Sequence, residues 1–119
     1  MKIDMRVILE YRELLINLWS WLADNPGKKK QDSPYWRDVS WMLNWCPLCV
    51  LFFDEDECRC GENCPMVRAD GGKTCYTEGS LFRKYMQYMH LDKNKSCQAA
   101  KEIMNVGIGW EPRKEDFGL

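Results

Sequence analysis

Cysteine spacing constrains this chain more than any other feature of its sequence. Cys46 and Cys49 form a C-x2-C pair, and Cys60 and Cys64 form a C-x3-C pair after ten intervening residues. Two close thiol pairs joined by a short loop are the usual way in which a chain places four thiolates around one zinc ion. The spacing therefore predicts a zinc knuckle, with Cys46, Cys49, Cys60 and Cys64 as the ligands of Zn²⁺.

The ligand set has an alternative because the same region holds further cysteines. A second set replaces Cys60 with Cys75, which would draw residues 65–74 around the metal. Cys58 is the least favoured ligand of this cluster, since C-x-C spacing is less common than C-x2-C at tetrahedral sites. The ligand set thus stays open between these two choices.

Two further side chains and several rival chemistries are weaker alternatives. Cys97 falls in a helix-like stretch and is expected to be a small buried hydrophobe, and His90 is expected to be a packed or surface residue. Disulfides fit poorly with an odd count of seven cysteines, and an iron–sulfur cluster lacks its C-x2-C-x2-C run. A catalytic zinc needs an open position and a general base, whereas a surplus of cysteine favours a closed structural site.

Length and composition define the class of chain. With 119 residues, 45% of them hydrophobic, the chain is expected to form one small domain whose core needs a cross-link for a safe margin of stability. A net charge of −1 argues against a uniformly basic nucleic-acid binder. The longest uncharged apolar stretch, residues 14–23, is far shorter than the ~20 residues that span a bilayer. Charged residues near the start argue against a signal peptide, so a cytoplasmic protein is expected.

Apolar periodicity predicts a mainly α fold of about four helices with an inserted zinc knuckle. The spacing predicts helices over 5–23, from Asp32-Ser33-Pro34 to about 44, from Ser80 to about 89, and over 97–106 with Ser96 as its cap. We expect one helical domain over residues 1–106, with the knuckle at 46–75. Residues 107–119 lack a period and are expected to form an irregular, extended tail, in which Trp110 and Phe117 either dock onto the body or contact a partner.

Local charge suggests two different partners. Residues 46–64 contain one arginine and five acidic side chains, a net charge of −4, and four thiolates around Zn²⁺ would add −2. This region would repel a phosphate backbone and suits a basic protein surface. Basic residues elsewhere could instead gather on one face and contact nucleic acid; they are Lys28, Lys29, Lys30, Arg83, Lys84, Lys93 and Lys95.

One segment gives the chain a resemblance. Residues 19–36 read W-x-W-L-A-D-N-P-G-K-K-K-Q-D-S-P-Y-W and are followed by Cys46-x2-Cys49, Cys64-Pro65 and Cys75. Over about residues 15–105 the chain resembles small uncharacterised cysteine-rich proteins of tailed bacteriophages and prophages. The resemblance implies a phage origin and an intracellular, zinc-binding protein without an agreed activity. The extra Cys58 and the C-x3-C spacing before Cys64 depart from that pattern and leave the ligand set open.

These features predict a non-enzymatic, zinc-stabilised interaction protein. A single histidine, with no nucleophile elbow and no phosphate-binding loop, argues against an enzyme. In a phage context the expected partner is a host protein complex with a basic surface, such as a defence or nucleic-acid-processing machine, which the protein would modulate or inhibit in the host cytoplasm. The alternative is a small zinc-containing regulator that binds nucleic acid through Lys28–Lys30 and Arg83/Lys84. No membrane partner is expected.

Overall fold

A computed structural model describes residues 4–57 and 59–119 and shows a mainly helical fold, as the sequence predicts. Six α-helices occur in the described residues: α1 Met5–Asp24, α2 Trp36–Val39, α3 Pro47–Phe52, α4 Pro65–Ala69, α5 Leu81–Tyr88 and α6 Lys93–Gly109. Two two-residue strands, β1 Phe53–Asp54 and β2 Arg59–Cys60, pair antiparallel with Phe53 opposite Cys60. Short 3-10 turns occupy Lys30–Asp32, Leu43–Trp45 and Lys114–Phe117.

Helix α1 supplies one wall of the core. The Asp4 carboxylate accepts a hydrogen bond from the Val7 N–H at 3.0 Å and so caps the first turn. The buried face of α1 carries apolar residues at helical spacing, and the helix packs against α6 and α3. Those residues are Ile8, Leu15, Leu18, Trp19, Leu22 and Ala23. The predicted helix over 5–23 is therefore confirmed to within one residue.

Helices α5 and α6 complete the body, and α6 packs against both α1 and α5. The Ser80 hydroxyl accepts a hydrogen bond from the Arg83 N–H at 3.2 Å, so the predicted start of α5 is confirmed. The predicted cap of α6 is wrong. Asp92 accepts from the Lys95 N–H at 3.1 Å and starts the helix earlier, whereas Ser96 is buried inside it.

The predicted second helix, to about residue 44, is also wrong. Only the four residues of α2 are α-helical, because the backbone is extended at Met42 (φ −81°, ψ 147°) and then adopts positive φ at Asn44 (54°) and Trp45 (51°). A right-handed helix cannot continue through left-handed residues. Helices α3 and α4 were not predicted; each begins with a proline directly after a cysteine, a favoured first helical position.

The end of the chain folds back onto the body. Helix α6 continues through Gly107 to Gly109, and Arg12 donates hydrogen bonds to the carbonyls of Trp110 (2.7 Å) and Ile108 (2.8 Å). The rings of Trp110 and Phe117 lie 5.8 and 5.2 Å from the Phe52 ring. Of the two roles considered for these aromatic residues, the structure shows docking onto the body.

No helix in the described part of the chain is long and apolar enough to cross a bilayer.

Gly107 makes the close contact between α6 and α1 possible. A Cβ atom at this position would lie 2.9 Å from Ile16 Cγ1 and 3.2 Å from Leu15 Cδ2, whereas a Cβ at Gly109 would meet nothing within 4 Å. We therefore expect Gly107→Ala to lower the free energy of unfolding by about 1–3 kcal/mol through overpacking.

Gly109→Ala is the matched control, in the same helix. It should be neutral or stabilising by up to about 1 kcal/mol, because alanine favours the helix. Urea unfolding followed by circular dichroism measures both variants. Equal effects of the two substitutions would contradict the close contact between α1 and α6.

Candidate metal centre

Five of the six cysteines that the structure describes come together beside the helical body. Helix α3 follows Cys46 and contains Cys49, β2 ends at Cys60, and α4 starts directly after Cys64. Cys75 lies in the turn before α5, where its carbonyl accepts a hydrogen bond from the Ser80 hydroxyl at 2.7 Å. The short hairpin of β1 and β2 thus brings the second pair of thiols back to the first.

The sulfurs are near each other and are not bonded. The six described cysteines, the five of the cluster and Cys97, all carry free thiols. The Sγ atoms of Cys49 and Cys60 lie 3.5 Å apart, against about 2.05 Å in a disulfide. Zn–S bonds of about 2.3 Å in a tetrahedron place neighbouring sulfurs about 3.8 Å apart. This spacing is close to what a shared metal ion requires.

Hydrogen bonds among the thiols set their acidity in an alternating pattern. Interactions with the Cys46 and Cys60 thiols lower the pKa of Cys49 to about 3, and the interaction with Cys49 raises the pKa of both of those neighbours. The Cys60 thiol, followed by the backbone N–H groups of Val67 and Met66, lowers the pKa of Cys64. Burial raises the pKa of Cys75 to about 12. Cys49 and Cys64 are therefore the favoured thiolates of the cluster.

A cavity of about 360 Å³ opens onto the thiols. Cys46, Cys49, Cys60 and Cys75 line it, together with apolar side chains that include Trp19 and Phe82, and with the Lys30 side chain. Among the described residues, no histidine, aspartate or glutamate lines this cavity. Its titratable groups are thus the four thiols, the Lys30 amine and the Tyr76 phenol, and Asn44 and Thr74 add an amide and a hydroxyl.

The turn before Cys46 has a strained backbone and contacts the cluster directly. Asn44 Nδ2 donates to Cys49 Sγ at 3.7 Å, and the Tyr76 hydroxyl donates to Asn44 Oδ1 at 2.8 Å. Positive φ at two consecutive residues with side chains, Asn44 and Trp45, costs on the order of 1–3 kcal/mol for each. The contacts with Cys49 and Tyr76 help to hold this conformation.

All four residues of the first predicted ligand set lie in the cluster, and so does the alternative ligand Cys75. Cys58 lies outside the described residues. Cys97 is half-buried on α6, and His90 is exposed and lines a different groove. Within the part of the chain that the structure describes, no three His, Cys, Asp or Glu side chains are already arranged around one metal position. Convergence of four thiols on an ion therefore requires some of them to rotate.

Sequence reasoning missed two residues of this site. Lys30 was grouped with Lys28 and Lys29 as a surface lysine, and Asn44 was placed at the end of a helix. The structure buries Lys30 to 8% exposure, which removes it from the basic surface suggested for nucleic acid. Nothing in a run of three lysines indicates which of them is buried. At position 44 there is a weak indication of the left-handed turn, because asparagine tolerates left-handed backbone geometry.

Comparison with protein-family models finds no match, and comparison with curated proteins and with solved structures finds no similar chain or fold.

The left-handed turn at Asn44 can be tested with a matched pair of variants. Asn44→Ala and Asn44→Gly both remove the contacts with Cys49 and Tyr76, but only alanine retains a Cβ that is unfavourable at φ 54°. We expect Asn44→Ala to be less stable than Asn44→Gly by about 1 kcal/mol in urea unfolding, although alanine is normally the less flexible residue. Alanine equal to or better than glycine would contradict the left-handed conformation.

Proposed function

We propose that this protein is a small, non-enzymatic interaction protein whose fold is stabilised by one zinc ion. The observation that carries the zinc assignment is that two thiol pairs, 14 residues apart from first to first in the sequence, lie in one cluster, with the Cys49 and Cys60 sulfurs 3.5 Å apart. Thiolates are preferred zinc ligands, and a set of four cysteines closes the coordination sphere. Cys46, Cys49, Cys60 and Cys64 would hold the ion, with Cys75 as the alternative to Cys60.

A structural role for this zinc fits the lining of the cavity. Catalytic zinc sites combine an open coordination position with a general acid or base, commonly glutamate or histidine. Among the described residues, the titratable groups that line the cavity are the thiols, Lys30 and the Tyr76 hydroxyl. None of them is a glutamate or a histidine. A closed zinc site would contribute its binding free energy to folding, which a chain of 119 residues can use.

An exposed apolar rim beside an acidic hairpin supports binding of a protein partner. Leu43, Tyr76 and Phe53 all line the cavity, and Leu43 and Tyr76 are 46% and 56% exposed. Phe53 starts the hairpin, which exposes Asp54 at the end of β1 and Glu55, Asp56 and Glu57 in its turn. Apolar anchors flanked by negative charge suit a partner with a basic surface.

The biological setting is an extension of this proposal. The resemblance to cysteine-rich phage proteins supports a phage-encoded chain that acts in the host cytoplasm. A host complex that handles nucleic acid carries a basic channel, which an acidic protein of this size can occupy. Inhibition of a defence complex is one form of this function.

A single observation favours a second candidate, binding of single-stranded nucleic acid. A groove of about 550 Å³ is lined by Lys29, Trp45, Tyr76 and His90, and the adjoining face of α5 exposes Arg83 and Lys84. Interleaved aromatic and basic side chains can stack bases and contact phosphates. Retention of a labelled oligonucleotide that weakens steeply with salt would favour this candidate over the protein partner.

The zinc assignment predicts a difference between two cysteine variants. Cys49→Ser should lose zinc at equimolar metal and should lower the free energy of unfolding by about 3 kcal/mol or more, because four ligands share a binding free energy of about 10–16 kcal/mol. Cys97→Ser, the control outside the cluster, should keep one zinc and lose about 1 kcal/mol or less. Elemental analysis and urea unfolding under reducing conditions measure both. Equal zinc content in the two variants would contradict the site.

The acidic hairpin predicts a charge-dependent interaction. Neutralising its turn should weaken capture of the host partner, whereas neutralising four exposed carboxylates elsewhere should not, although both variants change the net charge by the same amount. The turn variant is Asp54→Asn, Glu55→Gln, Asp56→Asn and Glu57→Gln, and the control is Glu13→Gln, Glu78→Gln, Glu102→Gln and Glu111→Gln.

The measurement is quantitative mass spectrometry of host proteins cross-linked to each variant. Proteins with basic surfaces that are enriched by the wild type and the control, and depleted with the turn variant, support the proposal. The same partners captured equally by all three proteins would rule out a role for the hairpin.

A further inference from the structure

Lys30 places a buried amine at the wall of the thiol cavity. Its side chain is 8% exposed and lines the cavity together with Cys46, Cys49, Cys60 and Cys75. Its Nζ donates a hydrogen bond to the Trp45 carbonyl at 3.0 Å. Lys28 and Lys29, its neighbours in the sequence, are exposed, so burial is specific to the third lysine of the run.

Aromatic rings surround this amine without supplying a negative charge. The Nζ atom lies 5.2 Å from the centroid of the Trp19 ring and 5.1 Å from that of the Phe82 ring. Such contacts favour a cation, but they offset only part of the cost of removing an ammonium from water. No carboxylate lines the cavity within the described part of the chain. The anionic groups available to Lys30 are therefore the thiolates.

The electrostatics of the site agree with this pairing. Burial lowers the pKa of Lys30, while the thiolates of Cys46, Cys49 and Cys75 act in the opposite direction and favour its charged form. A zinc ion with four thiolates carries a net charge of −2, which is costly in an apolar cavity unless a cation lies nearby. One lysine would halve that charge.

Lys30 also holds the segment that presents the first ligand. Trp45 directly precedes Cys46 and has a positive φ of 51°. The hydrogen bond from Lys30 to the Trp45 carbonyl fixes the orientation of this strained peptide group. The charge of Lys30 and its hydrogen bond to the Trp45 carbonyl thus both act on the pair Cys46 and Cys49.

Building on the zinc site of the proposed function, we propose that Lys30 is the counter-charge and positioning residue of the metal–thiolate centre. Its ammonium offsets negative charge at the thiolates and orients the turn that carries Cys46. Groups outside the coordination sphere that orient or stabilise ligands commonly change metal affinity by about 10- to 100-fold.

The test compares zinc affinities of full-length variants by competition with a chromophoric chelator under reducing conditions. Lys30→Met keeps the length and apolar stem of the side chain but removes the charge, and we expect its zinc affinity to fall by about 10- to 100-fold. Lys30→Arg keeps the charge and should retain more affinity than Lys30→Met. Lys28→Met, the same change at an exposed position of the same loop, should bind zinc as the wild type does.

Cobalt substitution separates this role from a general loss of structure. The thiolate-to-cobalt charge-transfer bands of Lys30→Met should keep the intensity of four sulfur ligands while shifting in energy, because the field at the thiolates changes. If Lys30→Met has the zinc affinity and the cobalt spectrum of the wild type, the inference is wrong. It is also wrong if Lys30→Met folds and Lys30→Arg binds zinc no more tightly than Lys30→Met does.

If Lys30→Met does not fold in excess zinc, the arginine variant decides: near-wild-type affinity supports the counter-charge, and a loss similar to that of Cys49→Ser contradicts it. A wild-type protein that binds no zinc would instead overturn the proposed function itself.

Discussion

The cluster of five thiols is the constraint on which the central part of this structure depends. The described residues between 43 and 75 form only short helices, a hairpin of two two-residue strands, and turns, none of which is stable alone in water. What these elements share is that each carries or adjoins a cysteine that meets the others beside the α1–α6 body. In the proposed account a zinc ion replaces the thiol protons and binds these elements together, so that folding of this segment and metal binding are one event.

The surroundings of the cluster follow from its charge. Thiolates gathered in an apolar cavity would need a cation or hydrogen-bond donors. Lys30 lines the same cavity, and Asn44 donates a hydrogen bond to Cys49 Sγ. The Asn44 contact depends on the left-handed turn at Asn44 and Trp45, which is unfavourable in isolation. Strain at this turn is compensated by the bonds it allows: Lys30 to the Trp45 carbonyl, Asn44 to Cys49, and Tyr76 to Asn44. The same turn exposes Leu43 at the cavity and Trp45 at the neighbouring groove.

Local signals explain which parts of the fold could be predicted. Helices α1 and α5 combine apolar periodicity with a capping side chain, Asp4 or Ser80, and such helices are readable from sequence. The start of α6 was misplaced because Asp92 and Ser96 are both good caps, and burial of Ser96 among other helices decides between them. Periodicity over residues 34–44 predicted a helix that stops after Val39, because the extended backbone at Met42 and the left-handed turn that follows it outweigh local preference.

The sequence predicts the cysteines of the candidate site but not the residues that surround them. C-x2-C and C-x3-C spacings reveal cysteines that meet at one point, because neighbouring ligands lie close in sequence. Nothing comparable marks Lys30, whose partners are Trp45, 15 residues away, and the rings of Trp19 and Phe82. The last residues of the sequence show the same limit: Phe117 packs on Phe52, a contact that periodicity cannot reveal.

Native mass spectrometry of the full-length protein, purified under reducing conditions, with elemental analysis of the same sample, tests the central claim most directly. We expect one zinc ion per chain, and loss of the folded state when a chelator removes it. A metal-free protein that is folded and unaffected by chelation would contradict the account, and so would cysteine masses lowered in pairs by disulfide formation.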